Sequence, residues 1–211
     1  MRRRFLLWSL LLLCVFVAAS CLAGMVSMPG RSYAGPAVAA DAAVVNALRA
    51  DVTQLAVVIG ERNAVNRPEK VVAMLALETM GYFSDEKNTQ HSPWPFSTFY
   101  PTEGNFIAFV ADTTSRALVR DVVSTFRQQS TLASEGASVP AAIEGIDWSD
   151  HGPYWRAGSV ALMVTDTAPF RNPNYHHESD VPDTLDFTRL AHVAVGLRRV
   201  VAKLASVDGV Q

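Results

Sequence analysis

The stretch NFIAFVADTTSRALVRDVVSTF, residues 105–126, shows how this chain is built. Its first part, 105–112, is apolar at nearly every position, as expected of a strand that is buried on both faces of a sheet. Thr114 and Ser115 then precede apolar residues at helical spacing, and short hydroxyl side chains are preferred where a helix begins. The stretch therefore predicts a buried strand followed by an amphipathic helix.

The same alternation continues along the chain. Residues 71–79 and 159–166 are further apolar segments of strand length, and 139–146 is a candidate for one more strand. A last helix is predicted to begin at Asp183 or Asp186. Its inward-facing residues are predicted to be Leu190, Val193, Leu197, Val201 and Leu204. Buried strands that alternate with amphipathic helices indicate an α/β layered domain.

The N-terminal segment, residues 1–29, carries a targeting signal. Positions 2–4 are arginines, and an almost continuous apolar sequence follows over 5–28. That length allows a helix to cross a hydrocarbon core of about 30 Å, and the arginines favour the cytoplasmic side. The segment is therefore predicted to be a membrane anchor that places the rest of the chain in the periplasm or outside the cell. A cleaved signal peptide and a lipid attached through Cys21 are the alternatives.

The composition of the chain fits an exported globular domain. It has 211 residues, of which 49% are hydrophobic, and a formal net charge of −2, which argues against binding to nucleic acid. Residues 30–70 are expected to form a linker and a leading helix capped by Asp41, and residues 71–211 the main domain. Both cysteines lie in the N-terminal segment, so a metal in the domain has to be held by histidines and carboxylates.

Polar residues at the ends of the predicted strands are the candidates for a functional site. Ligands of α/β sheets bind beyond the carboxyl ends of the strands, and Glu78 follows the first strand. Asp150 and His151 precede a short helix, where His151 either reaches the cleft or packs beside neighbouring aromatic side chains. His176 and His177 lie in a turn-forming loop after the last strand, which is either a metal site or an exposed polar loop.

Three of these segments together resemble a known enzyme family. LALETMGYFSDE (75–86), YPTEGNFIAFVAD (100–112) and SDHGPYWRAGSVALMVTDTAPFRNPNYHHESDVPDTLDF (149–187) are similar to the C-terminal half of the co-catalytic di-zinc aminopeptidases. That family includes aminopeptidase Y and the bacterial leucyl aminopeptidases, with the glutaminyl cyclases as relatives. The resemblance implies a three-layer α/β/α zinc-peptidase fold with a mixed sheet. It also implies that two zinc ions serve the hydrolysis of N-terminal peptide bonds.

The resemblance also implies roles for individual residues. Glu78 matches the acidic zinc ligand at the end of a strand, and His176 matches the histidine ligand of a Tyr-His-x-x-x-Asp motif. Asp180, the last residue of that motif, is implied to orient the loop or the histidine. Asp150 and His151 match a motif near the substrate cleft. Tyr175, the first residue of the histidine motif, is a further candidate for binding the peptide substrate.

The segment that carries the other zinc ligands in the family is missing here. ERNAVNRPEK (61–70) separates the leading helix from the first strand, no histidine precedes His91, and no Glu-Glu pair is present to supply the general base. Each zinc ion would keep one protein ligand, whereas catalytic zinc ordinarily has three. The chain is therefore predicted to be an inactive or impaired relative of a zinc-dependent exopeptidase, and no catalytic residue is assigned.

Two other interpretations fit the missing segment. One is a non-catalytic, membrane-tethered remnant or interaction domain, whose uncovered sheet edge would favour self-association. The other is a gene sequence that has lost the codons for the middle of a normal enzyme.

Overall fold

The computed structural model describes residues 2–36, 39–49, 73–143 and 145–205. Residues 42–49 are helical, and Asp41 caps them, because its Oδ1 accepts a hydrogen bond of 2.8 Å from the backbone nitrogen of Ala43. The later part of the predicted leading helix, up to Gly60, lies outside the described residues. The longer elements are α1 (Arg2–Val26), β1 (Met74–Leu77), β2 (Phe106–Asp112), α2 (Arg116–Gln129), β3 (Ala133–Val139), α3 (His151–Arg156), β4 (Ala161–Thr165) and α4 (Phe187–Ala205).

The four strands form one mixed sheet in the order β1-β4-β2-β3. The pairs β1/β4 and β2/β3 are parallel, and β2 and β4 are antiparallel. The prediction of an α/β domain with a mixed sheet is therefore confirmed. Because β1 and β4 are neighbours and run in the same direction, their carboxyl ends lie side by side at the same end of the sheet.

Helices α2 and α4 cover one face of this sheet. The ring of Phe126 on α2 meets that of Phe109 on β2 edge to face, with 5.1 Å between their centroids. Gly196 lets α4 approach, since a Cβ atom at this position would lie only 2.3 Å from the ring of Phe126. The buried core on this face includes Ile107, Phe109, Ala111, Val119, Val122, Val123, Phe126, Leu132, Leu162, Val164, Val193, Leu197 and Val200.

The predicted helix starts are close to those of the structure. Ser115 is the N-cap of α2, and its backbone nitrogen donates to Asp112 Oδ1 at 2.8 Å. Asp186 rather than Asp183 caps α4, because its Oδ1 accepts a hydrogen bond of 2.9 Å from the backbone nitrogen of Arg189. The predicted inward orientation of Val201 on α4 is wrong, because this side chain is 56% exposed.

The predicted strand at 139–146 is also wrong. The strand β3 ends at Val139, and the described residues among 141–147 form turns or a bend. Pro140 cannot donate a backbone hydrogen bond to a neighbouring strand, and Gly145 has a φ of +88°. The strand is ASEGASV (133–139) instead, and its small side chains do not form the apolar segment that is typical of a buried strand.

The opposite face of the sheet is covered differently. Among the described residues it is closed by loops and by the short helix α3, and an apolar cluster forms there from Ala137, Val139 and Ile146. We call these three residues the pocket cluster. The three-layer arrangement of the zinc-peptidase fold stays a prediction.

Helix α1 extends away from the domain and is apolar enough, over Trp8–Val26, to cross a membrane. Its side chains are exposed from Trp8 to Cys21, and the last turn is partly buried, with Met25 packed against the pocket cluster. The linker that follows, residues 27–32, lies along the edge strand β3. A membrane anchor and a signal peptide both remain compatible with this helix.

Arginines of α2 hold the linker in place. Arg120 Nη1 donates to Ser27 O at 2.5 Å, and Arg127 Nη1 donates to Pro29 O at 3.0 Å and Gly30 O at 3.2 Å. The backbone nitrogen of Ser134 in β3 donates to the hydroxyl of Ser32 at 2.6 Å, which covers part of this sheet edge.

Candidate functional site

A cavity of about 190 Å³ lies on the loop-covered face of the sheet. Its floor is formed by the side chains of β2, β3 and β4 that point away from α2 and α4. Its walls come from loop 90–100 and from the turn that follows β3. Polar groups at its surface are contributed by Glu78, Thr79, Gln90, Ser92, Glu135, Thr165, Thr167 and Tyr175. We call this cavity the sheet pocket.

Glu78 lies at the carboxyl end of β1, as predicted, and contributes to the sheet pocket. Its backbone nitrogen donates to Val164 O at 3.0 Å, which extends the pairing with β4 by one residue. The side chain is exposed, so water can solvate its carboxylate. The neighbouring hydroxyls of Thr79 and Thr165 lie 3.4 Å apart and join the ends of the two parallel strands.

The histidine motif lies at the same end of the sheet. Tyr175 contributes to the sheet pocket, and the ring of His176 stacks on it with 3.9 Å between the centroids. His176 is exposed and has a φ of +62°, a left-handed conformation that few residues other than glycine adopt. His177 and Asp180 are also exposed, and Asp180 Oδ1 accepts a long hydrogen bond of 3.5 Å from Asn172. The structure therefore places Glu78 and Tyr175 around one pocket, with His176 next to it.

His151 is completely buried. Its Nε2 lies 2.6 Å from Ile146 O, and its ring meets Trp155 edge to face at 4.5 Å. Burial lowers the pKa of His151, against the opposing effects of this hydrogen bond and of the charges of Asp147, Glu78 and Asp150. A neutral ring then donates from Nε2, and Nδ1, which has no hydrogen-bond partner, is an acceptor.

These contacts favour the interpretation in which His151 packs beside neighbouring aromatic side chains. It packs beside an aromatic side chain and holds the backbone of Ile146, a residue that lines the sheet pocket. Asp150, at the start of α3, is exposed. Contact of Asp150 or His151 with a substrate stays a prediction.

Two further pocket residues escaped the sequence analysis. Glu135 on β3 is partly buried, and burial raises its pKa, against the charge of Arg127, whose Nη2 lies 3.8 Å from its Oε2. Tyr100 donates to Gly136 O at 3.0 Å, and burial, followed by the charge of Glu135, raises the pKa of its hydroxyl. Once β3 is placed at 133–139, strand alternation puts Glu135 on the pocket face together with Ala133 and Ala137.

A buried polar network beyond the end of β4 was also missed. Arg171, only 6% exposed, donates from Nε to Gln90 Oε1 at 2.7 Å and from Nη1 to Phe106 O at 2.8 Å and Gly104 O at 3.0 Å. Burial lowers the pKa of Arg171 to about 10, against the charge of Asp166. The network ties loop 90–100, which walls the sheet pocket, to the start of β2 and to the segment after β4.

Asp166 and Arg171 each keep one polar atom without a hydrogen-bond partner, Oδ1 and Nη2. Burial raises the pKa of Asp166, although a hydrogen bond from the backbone nitrogen of Tyr82 opposes this effect. The only sequence signal for this network was the pair of polar residues, Asp166 and Thr167, directly after an apolar strand.

Zinc does not fit the described residues alone. Across 2–36, 39–49, 73–143 and 145–205, no three His, Cys, Asp or Glu side chains converge in a way that could hold a metal ion. Glu78 and His176 supply one carboxylate and one imidazole, fewer donors than a catalytic zinc site ordinarily uses. The predicted shortage of ligands stays a prediction, because residues 50–72 lie outside the described part.

The chain is similar to a protein from Escherichia coli (strain K12), "Uncharacterized protein YfbL". The two are 37% identical over 135 residues, which cover 64% of this chain and 41% of the relative. The chain therefore spans less than half the length of that relative. No protein-family model and no solved structure matches the chain.

Proposed function

We propose that this chain is a membrane-attached part of a zinc-dependent aminopeptidase-type domain that contributes a peptide-binding pocket but does not hydrolyse peptides by itself. One observation carries the proposal. Glu78 and Tyr175 line a single apolar pocket next to the parallel ends of β1 and β4, and His176 stacks on Tyr175. The sequence motifs that resemble the di-zinc aminopeptidases therefore converge in space, although they are separated along the chain.

The pocket suits an apolar side chain of a peptide. Its floor includes Ala108, Val110 and Met163, and Tyr100 and Phe96 stand at its wall. Burying a side chain of valine or leucine size in such a pocket contributes about 1.5–3 kcal/mol.

Charged groups at the pocket would position the backbone of the peptide. The carboxylate of Glu78 can attract the free amine of an N-terminal residue directly or can provide a ligand for zinc, with His176 as the imidazole donor. A zinc ion held by these two residues together with further donors would polarise the carbonyl of a bound peptide and lower the pKa of a water molecule.

The same chain is short of what turnover requires. One carboxylate and one imidazole leave an ion without its third protein ligand, and neither is assigned as a general base. We therefore propose that the exported domain binds peptides weakly and without cleaving them, outside the cytoplasm.

Zinc content and peptidase activity of the purified full chain in detergent test the proposal. We expect less than about one zinc ion per chain by elemental analysis, as the ligand count implies. We also expect no release of chromophore from an aminoacyl amide when zinc is added. His176→Ala and His177→Ala form a matched pair of variants, since they change adjacent exposed histidines.

Two tightly held zinc ions, with turnover that His176→Ala abolishes and His177→Ala leaves unchanged, would contradict the proposed inactivity and show an intact peptidase. The non-catalytic interaction domain is the second candidate, and the largely apolar lining of the pocket favours it. It is distinguished by peptide binding that persists unchanged when a chelator removes all metal.

A further inference from the structure

Three large aromatic side chains near the sheet pocket are exposed: Trp94 by 83%, Trp148 by 62% and Phe99 by 44%. Two of them flank the short helical turn Phe96–Thr98, and the third follows Ile146 of the pocket cluster. Tryptophan side chains, which have a large apolar ring and a polar N–H group, are enriched at the boundary between the lipid tails and water, and Phe99 adds an apolar ring in the same loop as Trp94.

Helix α1 ends against the pocket cluster, on which the loops of these aromatic residues also pack. Met25, in its last turn, packs against the pocket cluster, as do Phe96 and Tyr100 from the loop that carries Trp94 and Phe99. The exposed aromatic residues therefore belong to loops that share a packing surface with the end of the candidate membrane span.

The length of α1 determines how close this packing surface lies to the hydrocarbon core of the bilayer. The part of the helix whose side chains are exposed, Trp8–Cys21, extends about 21 Å at the helical rise of about 1.5 Å per residue. The hydrocarbon core of a bilayer is about 30 Å thick. If α1 spans the core, its last turn, which packs against the domain, lies within or next to the lipid tails.

The linker prevents the domain from moving away from the helix. Carbonyls of residues 27–30 accept hydrogen bonds from Arg120 and Arg127, and Ser32 accepts one from the backbone of Ser134. A tether fixed at these points leaves no free length over which the domain could separate from the membrane.

We infer that the globular domain rests on the membrane surface, with Trp94, Phe99 and Trp148 in the interfacial layer of the bilayer. This contact goes beyond the proposed peptide-binding role and depends only on the membrane attachment through α1. It brings the walls of the sheet pocket close to the lipid headgroups.

Depth-dependent fluorescence quenching tests the contact. The full chain with Cys14→Ser and Cys21→Ser receives a single cysteine through Trp94→Cys, Trp148→Cys or Arg199→Cys and is labelled with an environment-sensitive fluorophore. Arg199 is the matched control, because it is exposed on α4, which packs on the opposite face of the sheet. A chain that keeps only Cys14, exposed in the middle of α1, reports insertion of the helix.

Each protein is reconstituted in phosphatidylcholine vesicles that contain lipids with a quencher either at headgroup level or deep in the tails. We expect the headgroup-level quencher to remove at least about half of the fluorescence at positions 94 and 148, as for interfacial aromatic residues. The deep quencher should act most strongly at Cys14, and neither should act at position 199. Near-ultraviolet circular dichroism confirms that each variant keeps the fold.

Two results would overturn the inference, and only one of them would also contradict the proposed membrane attachment through α1. Quenching at Cys14 without quenching at positions 94 and 148 would show that the helix is inserted while the domain stands clear of the lipid. Absence of quenching at Cys14 would show that α1 does not enter the bilayer, and the proposed membrane attachment would fall as well.

Discussion

The helix-covered face of the sheet is closed by apolar side chains from α2 and α4, whereas the opposite face holds a cavity with a largely apolar lining and polar groups at its surface. On the first face, Phe109, Phe126 and Leu162 are fully buried. On the second, Glu135 and Tyr100 are buried in part, and the nearby His151 and Arg171 have polar atoms without partners.

Burial therefore has opposite effects on the free energy of folding at the two faces. Apolar burial on the helix-covered face stabilises the fold, because each side chain removed from water contributes favourably. Burial of charged groups near the sheet pocket costs free energy unless hydrogen bonds compensate for it. We therefore expect substitutions on the two faces to differ in size and in their dependence on pH.

The largest effect is expected for Phe126→Ala. This change removes the ring between Phe109 and Gly196 and leaves a cavity that the packed helices cannot fill, so the free energy of unfolding should fall by about 3–5 kcal/mol. Chemical denaturation in detergent, monitored by near-ultraviolet circular dichroism, measures this free energy of unfolding. Val201→Ala, at an exposed position of α4, is the control; a similar loss in both variants would contradict the assignment of the core.

A somewhat smaller effect is expected for Arg171→Met. The change keeps an apolar stem but removes the buried hydrogen bonds of the guanidinium to Gln90 Oε1, Phe106 O and Gly104 O, which should lower the free energy of unfolding by about 2–4 kcal/mol. The Thr167 hydroxyl and the backbone nitrogen of Ser84 still donate to Gln90 Oε1 and Gly104 O. The exposed Arg156→Met is the matched control and should cost less than about 0.5 kcal/mol. Equal effects in the two variants would show that the polar network does not hold the walls of the sheet pocket.

The smallest effect concerns the pH dependence of stability through His151. Burial lowers its pKa in the folded state, so the unfolded chain takes up a proton first as the pH falls below about 6.5. The stability contributed by the neutral ring is complete above that pH and is lost as the pH falls towards the lower, folded pKa. The slope is limited to about 1.4 kcal/mol per pH unit for one proton.

His151→Gln should therefore flatten the decrease in melting temperature between pH 7.5 and 5.5, whatever its effect at neutral pH. His91→Gln, at an exposed position, is the control and should keep the slope of the parent protein. An unchanged slope in His151→Gln would mean that the folded protein protonates this ring as readily as the unfolded chain does.

Much of the fold could be predicted because its strands are unusually apolar. Residues 105–112 and 159–166 were identified within one or two positions, since strands buried on both faces leave a continuous signal. The edge strand β3 was missed because Ser134, Gly136 and Ser138 are small and polar. Its position depends on the pairing with β2 and on contacts with the linker, which local sequence does not encode.

The candidate site was predictable only in part, for a similar reason. Tyr175 became a candidate only through the resemblance to the di-zinc aminopeptidases, whereas the position of Glu78 could be predicted because a polar residue directly after an apolar strand is a local feature. Glu135 and Arg171 could not, because their role comes from burial between segments that are distant along the chain. The burial of His151 likewise depends on Ile146 and Trp155 closing around it.

The contacts of Arg127 have a consequence for the order of folding. Its guanidinium binds carbonyls that precede it by 97, 98 and 99 residues. Those carbonyls leave the ribosome long before the arginine is made, and contacts between distant positions close slowly. During synthesis these carbonyls therefore lack this partner until nearly a hundred further residues, a little under half of the polypeptide, have followed them.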